Sequence, residues 1–196
     1  EGPGGMHVLD AMRARRTARA FKLRAPNRAI IESILRNAVK SPSEGNRQPW
    51  RVIVCSGDAL ADMVNAAVAH EASASAKPQT AAPGTAADVG MARRSGLRFF
   101  EAPVGILCLI GGDAGPGDWL DHGGFVNAIA LAAMGYGVDT CIISEFRGLE
   151  EPLAQQFGIE AGERITVGIG LGYGEFTTKS ASDRNPFDAI ATFRWQ

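Results

Sequence analysis

The stretch from Trp119 to Met134 constrains the chain most. Its spacing predicts a helix, and its second half, from Phe125, is alanine-rich and almost wholly apolar. Such a helix has no polar face to offer water, so it belongs at the centre of a core. A chain of 196 residues is long enough to build one core around it, since a domain of that size buries about 70% of its unfolded surface.

The rest of the chain supplies strands and amphipathic helices for that centre. Residues 7 to 16 suit a short helix with Val8, Leu9 and Met12 on one side. Pro26-Asn27 open a second helix through Ile30, Ile31, Ile34, Leu35, Ala38 and Val39, which Ser41-Pro42 stops. Trp50 to Cys55 is a short β-branched run and reads as a strand; residues 58 to 70 read as a helix on Leu60, Met63, Val64, Ala67 and Val68. A helix from Met91 to about Phe100, strands at Pro103 to Ile110 and Val138 to Ile143, and a short helix at Leu149 to Phe157 follow. Arg164 to Tyr173 is a central strand carrying Gly168, Gly170 and Gly172. Helices outnumber strands in an irregular order, so the pattern predicts an α+β fold rather than repeated βαβ units.

Residues 6–196 form one expected domain, and residues 1–5 (Glu-Gly-Pro-Gly-Gly) read as a tag remnant or a disordered end. From Glu71 to Gly90, 15 of 20 residues are Ala, Ser, Thr, Pro or Gly. That segment buries little apolar surface and predicts a mobile excursion, either part of a lid over a site or a surface loop without a role.

Composition removes several classes. Hydrophobic residues at 45% and charged residues at 21% are ordinary for a globular chain. A net charge of −1 gives no global field for nucleic acid or an anionic membrane. The longest apolar run, Ala102 to Ile110, is about half a membrane span. No apolar stretch follows a basic one at the start, so no secretory leader is expected. Cys55, Cys108 and Cys141 are odd in number and set in apolar runs, which reads as buried thiols in a reducing cytoplasm. Glycine is in excess, 24 of 196 residues against a usual share of about 7%.

The common metal, nucleophile and nucleotide-loop motifs are missing. The glycines at 168, 170, 172 and 174 sit in and just after a strand with no helix start behind them, unlike a dinucleotide-binding turn. His7, His70 and His122 have no partner at a telling spacing and read as surface or packing histidines. Positive charge is the informative irregularity. Between Ala11 and Arg28 lie Arg13, Arg15, Arg16, Arg19, Lys22, Arg24 and Arg28, with no acidic residue. Arg15-Arg16-Thr17-x-Arg19 concentrates guanidinium forks, a hydroxyl and backbone donors, which suits a phosphate monoester. A nucleic-acid patch is the competing reading, opposed by the neutral net charge and the lack of interleaved aromatics. The second cluster, Ser41 to Trp50, is a proline-bracketed loop rich in amides and hydroxyls. It is either a well-capped turn or a rigid loop presenting hydrogen-bonding groups to a planar heterocycle.

Together these motifs resemble the nitroreductase superfamily of FMN-dependent oxidoreductases. Its opening Arg-Arg-Ser/Thr-x-Arg-x-Phe is matched by Arg15 to Phe21, and its Pro-Ser-x-x-Asn-x-Gln-Pro-Trp loop by Pro42 to Trp50. Its later strand is matched by Gly135 to Ile143, and its ending by Leu171-Gly172-Tyr173 and Arg184-Asn185-Pro186. Phe99 to Gly105 and Trp119-Leu120-Asp121 further resemble the nitrobenzoate-reductase-like branch.

The resemblance implies a mostly antiparallel sheet flanked by helices, in an intertwined homodimer with two interfacial FMN sites. It implies that Arg15, Thr17 and Arg184 hold the phosphate, beside Arg16, and that Arg19 lies near the flavin pyrimidine. Ser43 and Glu44 of the other subunit face the ring, Asn46 and Gln48 brace their loop, and Ile143 and Ser144 place backbone near the flavin. The implied reaction is ping-pong electron transfer from NADH or NADPH to a small acceptor, a nitroaromatic or a quinone, with no nucleic-acid or membrane partner. No acid or base side chain is singled out as catalytic. Other flavin chemistry on the same fold (dehalogenation, flavin fragmentation, dehydrogenation) and flavin storage without turnover stay open. Glu44 stands where the family usually has a small residue; it either acts on anionic acceptors, on the flavin or on a proton, or points to solvent. The apolar tail around Phe187, Ile190, Phe193 and Trp195 is an expected arm for the partner, and some of the glycine is expected to permit close packing around a flat cofactor.

Overall fold

Capping chemistry sets where the two central helices begin. The Asn27 side chain accepts the Ile30 N–H at 2.9 Å and starts α2 (Arg28–Ala38), after a short α1 (Val8–Ala14). The Asp118 carboxylate accepts the Gly115 N–H at 2.9 Å, and Pro116 takes the first helical position of α5 (Pro116–Gly135). The remaining elements are β1 (Arg51–Ser56), α3 (Gly57–Ser75), α4 (Ala86–Leu97), β2 (Val104–Ile110), β3 (Asp139–Ile143), α6 (Glu150–Phe157) and β4 (Arg164–Gly172). This computed structural model describes residues 6–75, 86–176, 184–186 and 189–194.

The four strands make one antiparallel sheet in the order β1-β2-β4-β3, the α+β architecture expected. Against one face pack Met63 and Ala67 of α3, Leu97 of α4, Leu153 of α6, and Phe99 and Phe146 from the connections. Against the other pack Ile31, Ile34 and Ala38 of α2 and Phe125, Val126, Ile129 and Ala133 of α5. β2 and nearly all of β4 are therefore buried on both faces, which explains their continuous apolar runs. Among the described residues no helix is long and apolar enough to cross a membrane.

Two expectations need correction. Residues 71–75 continue α3 and 86–90 open α4, so the ends of the expected excursion are helical, as their alanines favour; residues 76–85 lie outside the described residues. The helix expected to reach Phe100 stops at Leu97. Phe99, Phe100 and Glu101 then take three successive left-handed conformations, with φ of 52°, 53° and 58°. Such residues cost of order 1–3 kcal/mol each and persist only where packing holds them.

Here the packing is the fully buried Phe99 ring, stacked on Phe146 at 4.4 Å over strand glycines. A Cβ on Gly105 would come within 2.9 Å of the Phe99 ring, and one on Gly168 within 2.6 Å of Phe146. A Cβ on Gly170 would meet the Phe99 carbonyl at 2.8 Å. Gly105 and Gly168 make room for aromatic rings of the chain itself, and Gly170 for the backbone that carries one of them.

Candidate functional site

The Arg-rich segment is fastened by its backbone. At Arg15 the chain leaves α1, its N–H still donating to the Ala11 carbonyl at 2.9 Å. Thr17 then bridges Thr140 of β3, and the Ala18 N–H donates to the Thr140 carbonyl at 3.0 Å. Further on, Phe21 bridges Gly174, and the Lys22 N–H donates to the Tyr173 carbonyl at 2.8 Å. Ala18 is fully buried and pins the segment. Arg15 and Thr17 are half-buried, whereas Arg16 and Arg19 are exposed.

The side chains are left available. Arg13 pairs with Asp10 at 3.3 Å on the surface of α1. By contrast, among the described residues no carboxylate forms an ion pair with Arg15, Arg16 or Arg19. Arg19 lies close enough to Cys141 of β3 to act on its thiol. Burial pushes that thiol up to about 11, Arg19 opposes the rise, and Glu145 adds to it. Ile143 is buried at the end of β3, and the exposed Ser144 donates its hydroxyl to Glu145 at 3.3 Å. One strand edge thus gathers Arg15, Thr17, Arg19, Ile143 and Ser144. Arg184 is exposed, and among the described residues no hydrogen bond or ion pair ties it to that edge.

The Ser41–Trp50 loop is fastened the opposite way, by side chains. The Gln48 N–H donates to Ser43 Oγ at 3.0 Å, and Gln48 Nε2 donates to Asn46 Oδ1 at 3.2 Å, so these amides are spent inside the loop. The N-terminal end of α5 grips it from outside. Asp121 accepts the Glu44 N–H at 2.8 Å, and Asp118, 7% exposed, pairs with Arg47 at 3.3 Å. Trp50 stacks on Phe125 at 4.7 Å with the rings 4° from parallel. Gly45, Asn46 and Gln48 have φ of 58°, 58° and 50°, conformations these ties maintain. The Glu44 carboxylate leans toward Gly117, where an added Cβ would lie 3.2 Å from Oε2.

Asp118 and Asp121 are loop anchors that sequence reasoning missed. An acidic residue in a first helical turn, such as Asp118, reads as an ordinary dipole partner, and nothing in the spacing of the pair announces a loop some seventy residues earlier. Two cavities, about 540 and 880 Å³, also lie elsewhere. The smaller sits between α3 and Arg98–Pro103, the larger beside Asp113, Glu150 and Glu163, and no sequence-predicted site residue lines either. Among the described residues no group of His, Cys, Asp and Glu is arranged to hold a metal ion.

Comparison with known proteins agrees with this architecture. The family model for the nitroreductase family matches residues 12–173. The chain is similar to a 4-nitrobenzoate reductase of Pseudomonas putida, 29% identical over 94% of this chain and 93% of the relative. It is also similar to a nitrobenzene nitroreductase of Ectopseudomonas oleovorans, 27% identical over 88% of this chain and 89% of the relative. Among solved structures, a Mycobacterium smegmatis FMN-dependent nitroreductase in complex with NADPH superposes with a TM-score of 0.82, at 20% identity over 96% of this chain and 98% of that one. A Desulfitobacterium hafniense nitroreductase with bound FMN gives 0.75, at 25% identity over 97% and 100%.

Proposed function

The chain belongs to the nitroreductase family, and from that premise we propose that it is an FMN-dependent oxidoreductase. It passes electrons from NADH or NADPH to a small acceptor, a nitroaromatic or a quinone, in a ping-pong cycle. The observation that carries the reading is a set of arginines, without ion pairs among the described residues, on a backbone-fixed segment along β3. Such guanidinium groups beside a half-buried threonine hydroxyl fit a flavin phosphate, which brings nearly two negative charges and three acceptor oxygens.

When bound, FMN supplies the electron exchange between nicotinamide and acceptor. Arg15 and Thr17 bind its phosphate, with Arg16 adding positive field and Arg184 closing over it. Arg19 holds a positive charge against the flavin pyrimidine. Ile143 and Ser144 present backbone at the end of β3, and no side chain of this chain is assigned as acid or base.

A second copy completes the site. Among the described residues no hydrogen bond or ion pair joins the Arg15–Phe21 segment to the Ser41–Trp50 loop. Meanwhile α1, which packs against α5, exposes Val8, Leu9 and Met12, and the start of α5 exposes Trp119 and Leu120, the last 78% accessible. Those exposed apolar side chains, with Trp119 and Leu120 beside the loop, support a homodimer in which Ser43 and Glu44 of one subunit face the flavin of the other. Asn46 and Gln48 keep the loop in shape. Exposed Ile190 near the C-terminus adds to the surface available for the partner; Phe187 and Trp195 lie outside the described residues. Three buried free thiols, with Cys108 pushed up to about 12 by burial, support a cytoplasmic protein.

The test is reconstitution. The purified protein should take up equimolar FMN with flavin absorbance, bleach anaerobically with NADH or NADPH, and recover colour on adding a nitroarene or quinone. A folded protein that retains no FMN refutes the reading. One that binds FMN but never bleaches is a flavin carrier.

A further inference from the structure

His122 is 2% exposed, within α5, and no role above uses it. Its partner comes from an irregularity in β4. Ile165 packs on the α3 side of the sheet, while Val167, Ile169 and Leu171 pack on the α5 side. Residues two apart on a regular strand share a face, so the alternation breaks between 165 and 167. The pairing shows how. Cys108 pairs with Val167 but Leu109 pairs with Ile165, which makes Thr166 the extra residue of a β-bulge.

The bulge turns the Thr166 side chain onto the α5 face. There Oγ1 lies 2.7 Å from His122 Nε2 and 3.0 Å from the Cys108 carbonyl. The Thr166 carbonyl accepts from Arg147 Nε at 2.6 Å, so the bulged residue is held at main chain and side chain alike. A hydroxyl has one proton and a carbonyl can only accept, so that proton goes to Cys108. Thr166 Oγ1 therefore accepts from His122 Nε2–H. Burial pulls His122 below the usual imidazole value, which keeps the ring neutral with that single proton.

The contact is directional in an interface that otherwise is not. α5 meets the sheet through Phe125, Val126, Ile129 and Ala133, and apolar burial by itself has no direction. Among the described residues, the bond from His122 to Thr166 is the one side-chain hydrogen bond between α5 and the sheet. The other ring nitrogen, Nδ1, is buried and makes no hydrogen bond among the described residues, a cost that an apolar side chain would avoid. What histidine supplies here is the Nε2 bond.

The neighbours of His122 on α5 all hold the Ser41–Trp50 loop. Asp118, one turn before it, pairs with Arg47 at 3.3 Å, and Asp121 accepts the Glu44 N–H at 2.8 Å. Phe125, one turn after it on the same buried stripe, stacks on Trp50 at 4.7 Å. A small rotation of α5 would displace all three grips together. We propose that His122 is a positioning residue: by fixing α5 against the β4 bulge, it sets where Asp118, Asp121 and Phe125 hold the loop. Its consequence for turnover rests on the functional reading above, in which this loop carries Ser43 and Glu44 to the second subunit's flavin.

The experiment measures amide-exchange protection at Glu44, beside the denaturation midpoint, in full-length protein without added flavin. Thr166→Val removes the hydroxyl at nearly constant volume, and His122→Phe removes the donor while Thr166 stays bonded to Cys108. Each should lower Glu44 protection roughly threefold to tenfold, the scale of one hydrogen bond. The double variant should lose no more than either single one, because both remove the same bond. Thr166→Ser keeps the hydroxyl and His122→Gln keeps a side-chain N–H donor, so both should restore most of the protection. A residue that only stabilised the core would lower the midpoint and leave Glu44, which exchanges by local opening, at its wild-type protection. That result in Thr166→Val, losses that add in the double variant, or a loss in Thr166→Ser as large as in Thr166→Val would overturn the proposal. Should His122→Phe fail to fold, the two Thr166 variants decide the question alone. In the FMN-loaded enzyme, Thr166→Val should raise the KM for nitrobenzene severalfold with kcat nearly unchanged, and Thr166→Ser should not. A loosened loop in a protein that takes up no FMN leaves the inference standing and refutes the functional reading; FMN turnover with a loop that neither variant moves does the reverse.

Discussion

The two segments expected to meet the flavin are built on opposite plans. Arg15–Phe21 is held by main-chain bonds to Thr140, Tyr173 and Gly174 and by the buried Ala18 and Phe21, so that among the described residues its arginines are left without ion pairs. Ser41–Trp50 spends its side chains holding itself, through Ser43, Asn46, Arg47 and Gln48, with α5 carboxylates completing the ties. A segment tied by backbone can change its outward side chains, here the arginines, without losing its place. One tied by side chains cannot. Substitutions in the first should therefore move ligand affinity, and in the second stability.

The largest expected effect tests the first half of that contrast. Arg15→Ala should raise the FMN dissociation constant roughly a hundredfold through loss of a charge-assisted contact, with the melting temperature nearly unchanged. Arg13→Ala, on the solvent side and paired with Asp10, should stay within about twofold. Equal dissociation constants for the two variants would break the assignment. Next comes the loop. Asp118→Ala removes both the Arg47 partner and the Gly115 cap of a nearly buried carboxylate, and should cost about 2 kcal/mol by denaturant titration. A stability equal to wild type would mean that the loop is held elsewhere.

Glu44 crosses the divide, because its N–H is tied to Asp121 while its carboxylate is not part of that bond. Glu44→Gln should leave stability unchanged and lower the KM for an anionic nitroarene by roughly threefold to tenfold relative to a neutral one. Parallel changes for both acceptors would remove its role in charge selection. The smallest effect concerns Asp139, which accepts the Gly174 N–H at 2.9 Å beside the arginine segment. Burial raises its proton affinity, so the folded state bears a cost at neutral pH that disappears once the carboxyl is protonated. Asp139→Asn keeps an acceptor and should slightly raise the melting temperature at neutral pH, a gain that fades toward acid. A gain independent of pH would contradict that cause.

Much of this fold was legible because helix and strand periods are local properties. Ile31, Ile34 and Ala38 face the sheet, and the continuous apolar runs of β2 and β4 proved buried on both sides. The motifs at Arg15–Arg19 and Pro42–Trp50 were legible too, since each is contiguous. What escaped depends on residues far apart in sequence. His122 pairs with Thr166 only because a bulge turns Thr166 onto the α5 face. Asp118 and Asp121 reach the loop only once α5 lies against it. The left-handed turn at Phe99–Glu101 escaped for a different reason. No glycine marks it, and its glycines stand on the facing strands instead.

The main-chain bridge between Thr17 and Thr140 carries one more implication. β3 is an outer strand of the sheet, and its free edge is a template for pairing with another chain. The Arg15–Phe21 segment occupies that edge and surrounds it with positive charge. The proposed phosphate-binding segment is thus also the sheet's edge guard. Damage to its backbone anchoring should show first as aggregation, whereas loss of its arginines should leave a well-behaved protein that binds flavin poorly.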